Sequence, residues 1–164
     1  MKLLSLVALL GGTLGQGALA QNGLDPEYQP LAAPLAEMVT DCLDQARDEE
    51  GSAACGAATR DECRMTGPGG DTTYGYVMCA ILLGTLWDEE LGRAWAAVQE
   101  GQGPEELERM RAEQAAWETY RQAPCDFEVA RVAGGTMAQH VGGDCRVEMA
   151  AARVAEFREI LRYR

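Results

Sequence analysis

Apolar positions recur at helical steps over most of this chain. Leu35, Met38, Val39, Cys42 and Leu43 fall at i, i+3, i+4, i+7 and i+8, one stripe on a 3.6-residue helix. That pattern predicts a helix from Pro34, ended by Gly51. A shorter helical piece follows around "SAACGAATRDECRM", and "GPGG" at 67–70 stops it. Tyr76, Cys79, Leu82, Leu83, Leu86, Glu90, Leu91 and Trp95 trace most of a buried stripe. They predict a long helix from about Thr72 to Gln99, with Asp71 or Thr72 as its cap. "GQGP" then resets the chain, and Pro104 suits the first position of a fourth helix, with Glu105 and Glu106 against its dipole.

The fourth helix is expected to reach Gln122 and, kinked at Pro124, Val132. Proline lacks an N–H and pushes the preceding Ala123 away from helical geometry. "GGTMAQHVGG" reads as a loop, and Asp144 opens a last helix to about Arg162. Residues 21–33 carry two prolines and no period, so they read as a flexible N-terminal arm. No stretch alternates apolar and polar residues in the manner of a strand, and no internal repeat is evident. The expected fold is an all-α bundle of four to five helices, forming a single domain over 34–164.

The first twenty residues place the chain outside the cytoplasm. Lys2, the apolar run "LLSLVALL" and the small residues Ala18 to Ala20 have the layout of an export signal peptide, 1–20, cleaved after Ala20. No later segment is apolar for long enough to span a membrane. The first cysteine beyond the leader is Cys42, so no lipid anchor is expected at the new N-terminus. The expected location is periplasmic or secreted.

Export changes how the cysteines are read. Cys42, Cys55, Cys63, Cys79, Cys125 and Cys145 imply three disulfides in an oxidising compartment. A zinc site is the rival, but the chain has no CxxC pair and only His140 to add; no metal is expected. If Cys55 and Cys63 share one helix they stand about 12 Å apart, too far to bond.

Charge narrows the partners. The chain has 26 acidic and 14 basic residues, a net charge of −12, and losing Lys2 with the leader makes it one unit more negative. That disfavours nucleic acid and anionic membranes and favours a basic protein partner. Candidate chemistry is sparse. There is no Ser-His-Asp set, phosphate loop or metal-ligand spacing, and the one histidine is His140. The reading is therefore a non-enzyme without a cofactor, its many carboxylates a solvated face.

One polar pattern stands out within an apolar stripe. Leu107, Met110, Gln114, Trp117, Arg121, Cys125, Glu128 and Val132 recur at three- and four-residue steps. Gln114, Arg121 and Glu128 thus share a face with Trp117 and Cys125 and must find partners there, because unpaired buried charge is costly. Arg153 on the last helix is the obvious additional member. The expectation is a buried ion-pair network fixing helix register; a binding groove is the alternative.

The segment "AEQAAWETYRQAPCDFEVARVAGGT…GDCRVEMAAARVAEF" resembles the LprI-type lysozyme-inhibitor family. The positions carrying the resemblance are Gln114, Trp117, Tyr120, Arg121, Cys125, Gly134, Gly135, Cys145 and Arg153. Upstream, "TTYGYVMCAILLGTLWDEEL" is similar to the family's cysteine-helix at Cys79, Asp88 and Leu91. The resemblance covers roughly 71–162. It implies a Cys125–Cys145 bridge closing a loop around the Gly-rich turn, stabilising by on the order of 3 kcal/mol. For the other four cysteines two arrangements stay open, Cys42–Cys63 with Cys55–Cys79 or Cys42–Cys55 with Cys63–Cys79.

The resemblance also implies an exported inhibitor that binds a basic lysozyme and blocks its cleft. Its contact is expected in the loop Thr136 to Val141, at Thr136, Met137, Gln139 and His140. Two departures from the family pattern bear on this. The chain lacks the lipid-bearing cysteine of LprI itself, and Pro124 stands where an acidic or polar residue is usual. The other reading is a non-catalytic binding or structural module of the cell envelope.

Overall fold

The helices begin largely where the sequence supplies a cap or a spare first turn. The computed structural model describes residues 24–164; the expected leader, 1–20, lies outside the described residues. A 3-10 turn at Pro26–Leu31 leads into α1 (Ala32–Gln45), α2 (Glu49–Thr66), α3 (Thr73–Gln99), α4 (Pro104–Tyr120), α5 (Gln122–Arg131) and α6 (Thr136–Arg162). The Thr72 hydroxyl accepts from the Gly75 N–H at 3.1 Å and caps α3. Pro104 opens α4, its missing donor costing nothing there. No strand occurs among the described residues. With α4 and α5 counted as one bent helix the number is five, so the chain is the all-α bundle expected.

Four local expectations are corrected. Gly51 does not end the first helix, because Asp48 accepts from the Gly51 N–H at 2.8 Å and starts a new one. Glu49 and Glu50 add favourable charge to that first turn. The expected loose arm is docked from Leu24 onward. Tyr28 is fully buried, its hydroxyl accepts from the Gly69 N–H at 2.9 Å, and Tyr74 donates to Asp25 at 2.8 Å and to Glu27 at 3.1 Å.

The third correction concerns the bend near Pro124. It falls at Arg121, and Ala123 is helical. With the break three residues upstream, Pro124 occupies the first turn of α5, where no N–H donor is needed. The fourth concerns "GGTMAQHVGG", which is mostly helix, α6 starting at Thr136. Its second glycine pair is a packing feature. A Cβ on Gly143 would stand 2.5 Å from the Ala80 Cβ, and one on Gly142 would stand 2.7 Å from Val129.

That close approach sets the architecture. Tyr76 meets His140, Ala80 meets Gly143, and Trp95 meets Phe157, so α3 and α6 run side by side in the same direction. Helix α2 runs against both: Thr59 accepts from the Trp87 indole at 3.2 Å, and Arg64 pairs with Asp144 at 2.5 Å. Helix α1 closes the core with Leu35, Val39 and Leu43. Trp87, Leu82, Leu83, Val147, Val154 and Phe157 fill the interior. Three disulfides join neighbouring elements, Cys42–Cys55, Cys63–Cys79 and Cys125–Cys145. Of the two arrangements left open by sequence, each cysteine of α2 therefore joins the helix next to it in the chain.

Three outcomes are expected. Oxidised protein should show no thiol titratable by a thiol reagent in denaturant; two or more per chain would contradict the three bridges. Gly143→Ala should lower stability by about 1–3 kcal/mol, the usual cost of overpacking. Gly84→Ala, whose Cβ meets nothing within 4 Å, should be neutral or stabilising by up to about 1 kcal/mol. Chemical denaturation of the two variants checks the contrast.

Candidate functional site

Two parallel neighbours need a connection that returns along the bundle, and α4 and α5 supply it. Little apolar surface holds this return. Gln114 is the one buried residue of α4, while Leu107, Met110 and Trp117 are half-buried. The remaining grip is polar. Arg153, its side chain only 7% exposed, donates from Nε to Gln114 Oε1 at 3.1 Å, from Nη2 to Glu113 at 3.0 Å and from Nη1 to Glu156 at 2.5 Å. Its guanidinium also lies 4.5 Å from the Phe157 ring centre and 5.6 Å from that of Trp117.

Trp117 receives a second cation from its own helix end. Arg121 stands 5.3 Å from the Trp117 ring centre and donates to Asp88 of α3 at 2.9 Å. Cation–π contacts of this kind contribute about 0.5–1 kcal/mol each where partly exposed. Gln114 completes the set by donating to Glu118 at 2.9 Å. The structure thus brings together Gln114, Trp117, Arg121 and Arg153, and adds Asp88, Glu113 and Glu156. The sequence offered a signal for Glu156, three residues beyond Arg153 on the same helix, and none for Glu113.

Other candidates lie elsewhere. Glu128 does not join the network; it lies on α5, beyond the break at Arg121, and, half-exposed, pairs with Arg131 at 3.0 Å. Tyr120 is 61% exposed and takes no part either. His140 is not in a flexible loop. It is half-buried on α6, its ring 5.3 Å from Tyr76 and its Nδ1 3.6 Å from Asp144.

The α5–α6 turn is exposed from Ala133 to Met137. Ala133, Gly134 and Gly135 all have positive φ, 55°, 88° and 80°. Such a run reverses the chain tightly, and Ala133 is strained in it for want of a glycine's freedom. The Cys125–Cys145 bridge holds the two helices together behind the turn. Thr136 and Met137 follow, both exposed, and Gln139 lines a groove beside them.

These features define a class: a disulfide-stapled helical module whose polar cluster fastens helices and whose exposed turn is backed by a disulfide. No group of His, Cys, Asp and Glu among the described residues could hold a metal ion. No helix among them is long and apolar enough to cross a membrane. The family model described as "Lysozyme inhibitor LprI" matches residues 63–157, more than half of the chain, and the chain belongs to that family. The function at family level is lysozyme-inhibitor-like and not catalytic. Members are usually exported, and the three disulfides fit an extracellular protein. No curated protein and no solved structure matches the chain. The whole polar cluster, from Asp88 to Glu156, lies inside the matched span; α1 lies outside it.

The cluster generates an ordering of stabilities. Arg153→Ala removes a buried cation and strands Gln114, and should cost about 3 kcal/mol. Arg121 pairs with Asp88, whose side chain is 57% exposed, so Arg121→Ala should cost only about 1 kcal/mol. Equal losses in thermal or urea unfolding would contradict this division of labour.

Proposed function

We propose that the protein inhibits a basic, animal-type lysozyme by presenting the α5–α6 turn to the enzyme's cleft. Membership of the lysozyme-inhibitor family carries this reading. Charge and shape support it. A chain of net charge −12 is drawn electrostatically to a strongly cationic enzyme. A turn backed by a disulfide loses little freedom on binding, and that preorganisation favours affinity. Thr136 and Met137 are the contact residues in this reading, with Gln139 at the margin and His140 removed from it.

The test is clearing of cell-wall suspensions by lysozyme with the purified exported chain present. Inhibition is expected, and it should weaken as salt rises. Attraction between opposite charges acts over about 30 Å at 0.01 M ionic strength but only about 8 Å at 0.15 M, so association should slow more than dissociation quickens. Met137→Asp should weaken inhibition at least about tenfold, by setting a carboxylate against the enzyme's catalytic pair. Acidic groups in a first helical turn are well tolerated, so the fold should persist. Lysozyme left at full activity by a large molar excess at low salt would refute the proposal.

A further inference from the structure

Helix α5 has few attachments to the bundle besides its own ends. Cys125 is its only buried residue, with Pro124 and Val129 half-buried beside it, and Phe127 is 64% exposed. Its one ion pair joins Glu128 to Arg131 within the helix. Among the described residues no side-chain hydrogen bond or ion pair of 122–131 reaches another element. Val129 lies over Gly142 as the close apolar approach to α6. The Cys125–Cys145 bridge therefore carries most of the attachment.

The other two bridges join elements that hold without them. Leu35, Val39 and Leu43 bury α1 in the core. Arg158 donates to the Leu43 carbonyl at 2.8 Å and Arg162 to that of Ala46 at 2.9 Å, so Cys42 stays beside Cys55 even with their bond open. Cys63 and Cys79 are both buried, and the Trp87 indole donates to Thr59 across the same two helices. Thiols held facing each other keep a high effective concentration and reclose; thiols on elements that part do not.

We propose that Cys125–Cys145 is a redox-operated release: its reduction frees α5 and the α5–α6 turn while the core of α1, α2, α3 and α6 stays folded. Cys145 is half-buried and Cys125 only 1% exposed, so a reductant meets the Cys145 sulfur. A thiolate of a dithiol attacks that sulfur, forming a mixed disulfide, and Cys125 leaves as the thiolate. The dithiol's second thiol then displaces Cys145 and closes its own disulfide, so two electrons and two protons pass to the protein. The freed helix pivots at Arg121, still paired with Asp88 at 2.9 Å, and at Gly134 and Gly135. The consequence for inhibition rests on the proposed role of the turn, which loses its preorganisation with its backing.

The experiment titrates the oxidised native protein with dithiothreitol, alkylates the freed thiols and follows amide exchange by mass spectrometry. Cys125 and Cys145 should be alkylated at roughly tenfold lower reductant than the other four cysteines, reflecting their lower effective concentration once parted. Exchange should then rise to the unprotected rate across 122–135, with α3 and residues 147–157 of α6 still protected. The double variant Cys125→Ala, Cys145→Ala should show the same pattern without reductant; if it does not accumulate, the alkylated wild type decides. Earlier opening of another bridge, continued protection of α5 after alkylation, or lost protection in α3 would each overturn the release. The alkylated protein, freed of reductant, should inhibit lysozyme about fivefold less or weaker still. Undiminished inhibition by that protein would overturn the turn's dependence on the bridge. Oxidised protein that leaves lysozyme untouched refutes the inhibitor reading alone, because alkylation and exchange read the release without lysozyme.

Discussion

The contact of Gly143 with Ala80 is the constraint on which the rest of the molecule depends. With no side chain at Gly143, α6 can approach α3 until a single added Cβ would overlap the facing one. At that distance the two long helices share a core in parallel, with α2 antiparallel to both and covering their seam. Parallel neighbours cannot be joined by a tight turn, so the chain must travel back before α6 begins. Helices α4 and α5 are that return path. The same small residues that permit the contact also hollow out the groove beside it.

A return path laid over a finished core has little apolar surface left to bury. Burial stabilises by roughly 25 cal/mol per Å², and α4 contributes one buried residue, the polar Gln114. Specific polar contacts do the fastening instead. Arg153 reaches from α6 to Gln114 and Glu113, while Arg121 reaches to Asp88 on α3, with Trp117 between the two cations. The disulfide from Cys125 to Cys145 fastens the far end, where α5 meets α6. The path is thus pinned at both ends, and the turn beyond the bridge is displayed on a fixed base. The matched family span holds all of these residues, so the fastening belongs to the part of the chain that carries the family's character.

Much of this was legible in the residues, and the failures have a common cause. The helical stripes of α1 and α3, the Thr72 cap and the Pro104 start follow from periodicity and end chemistry, which are local. Gln114, Trp117, Arg121 and Arg153 were legible as a set because polar groups on an apolar stripe need partners. Misreadings came wherever a local signal had a tertiary meaning. Gly142 and Gly143 look like helix breakers, but they are the sites where another helix comes too close for a side chain. Gly51 looks like a stop, yet Asp48 caps a new helix through its N–H. Pro26 and Pro30 suggest a loose arm, while Tyr28 buries its ring against the α2–α3 connection. Glu128 was placed by extrapolating one helix across the break at Arg121.

The shift of α6's start from Asp144 to Thr136 also changes the proposed contact surface. What read as a loop is a short strained turn followed by helix, with His140 half-buried against Tyr76 and Met137 exposed. A short turn backed by a disulfide leaves a localised footprint when a partner covers it. Amide hydrogen exchange of the oxidised protein, alone and with saturating lysozyme at low salt, reads that footprint directly. Slowed exchange concentrated at residues 131–137, with the outer face of α4 unchanged, is the expected result. Protection spread along α4 and absent from the turn would contradict the account.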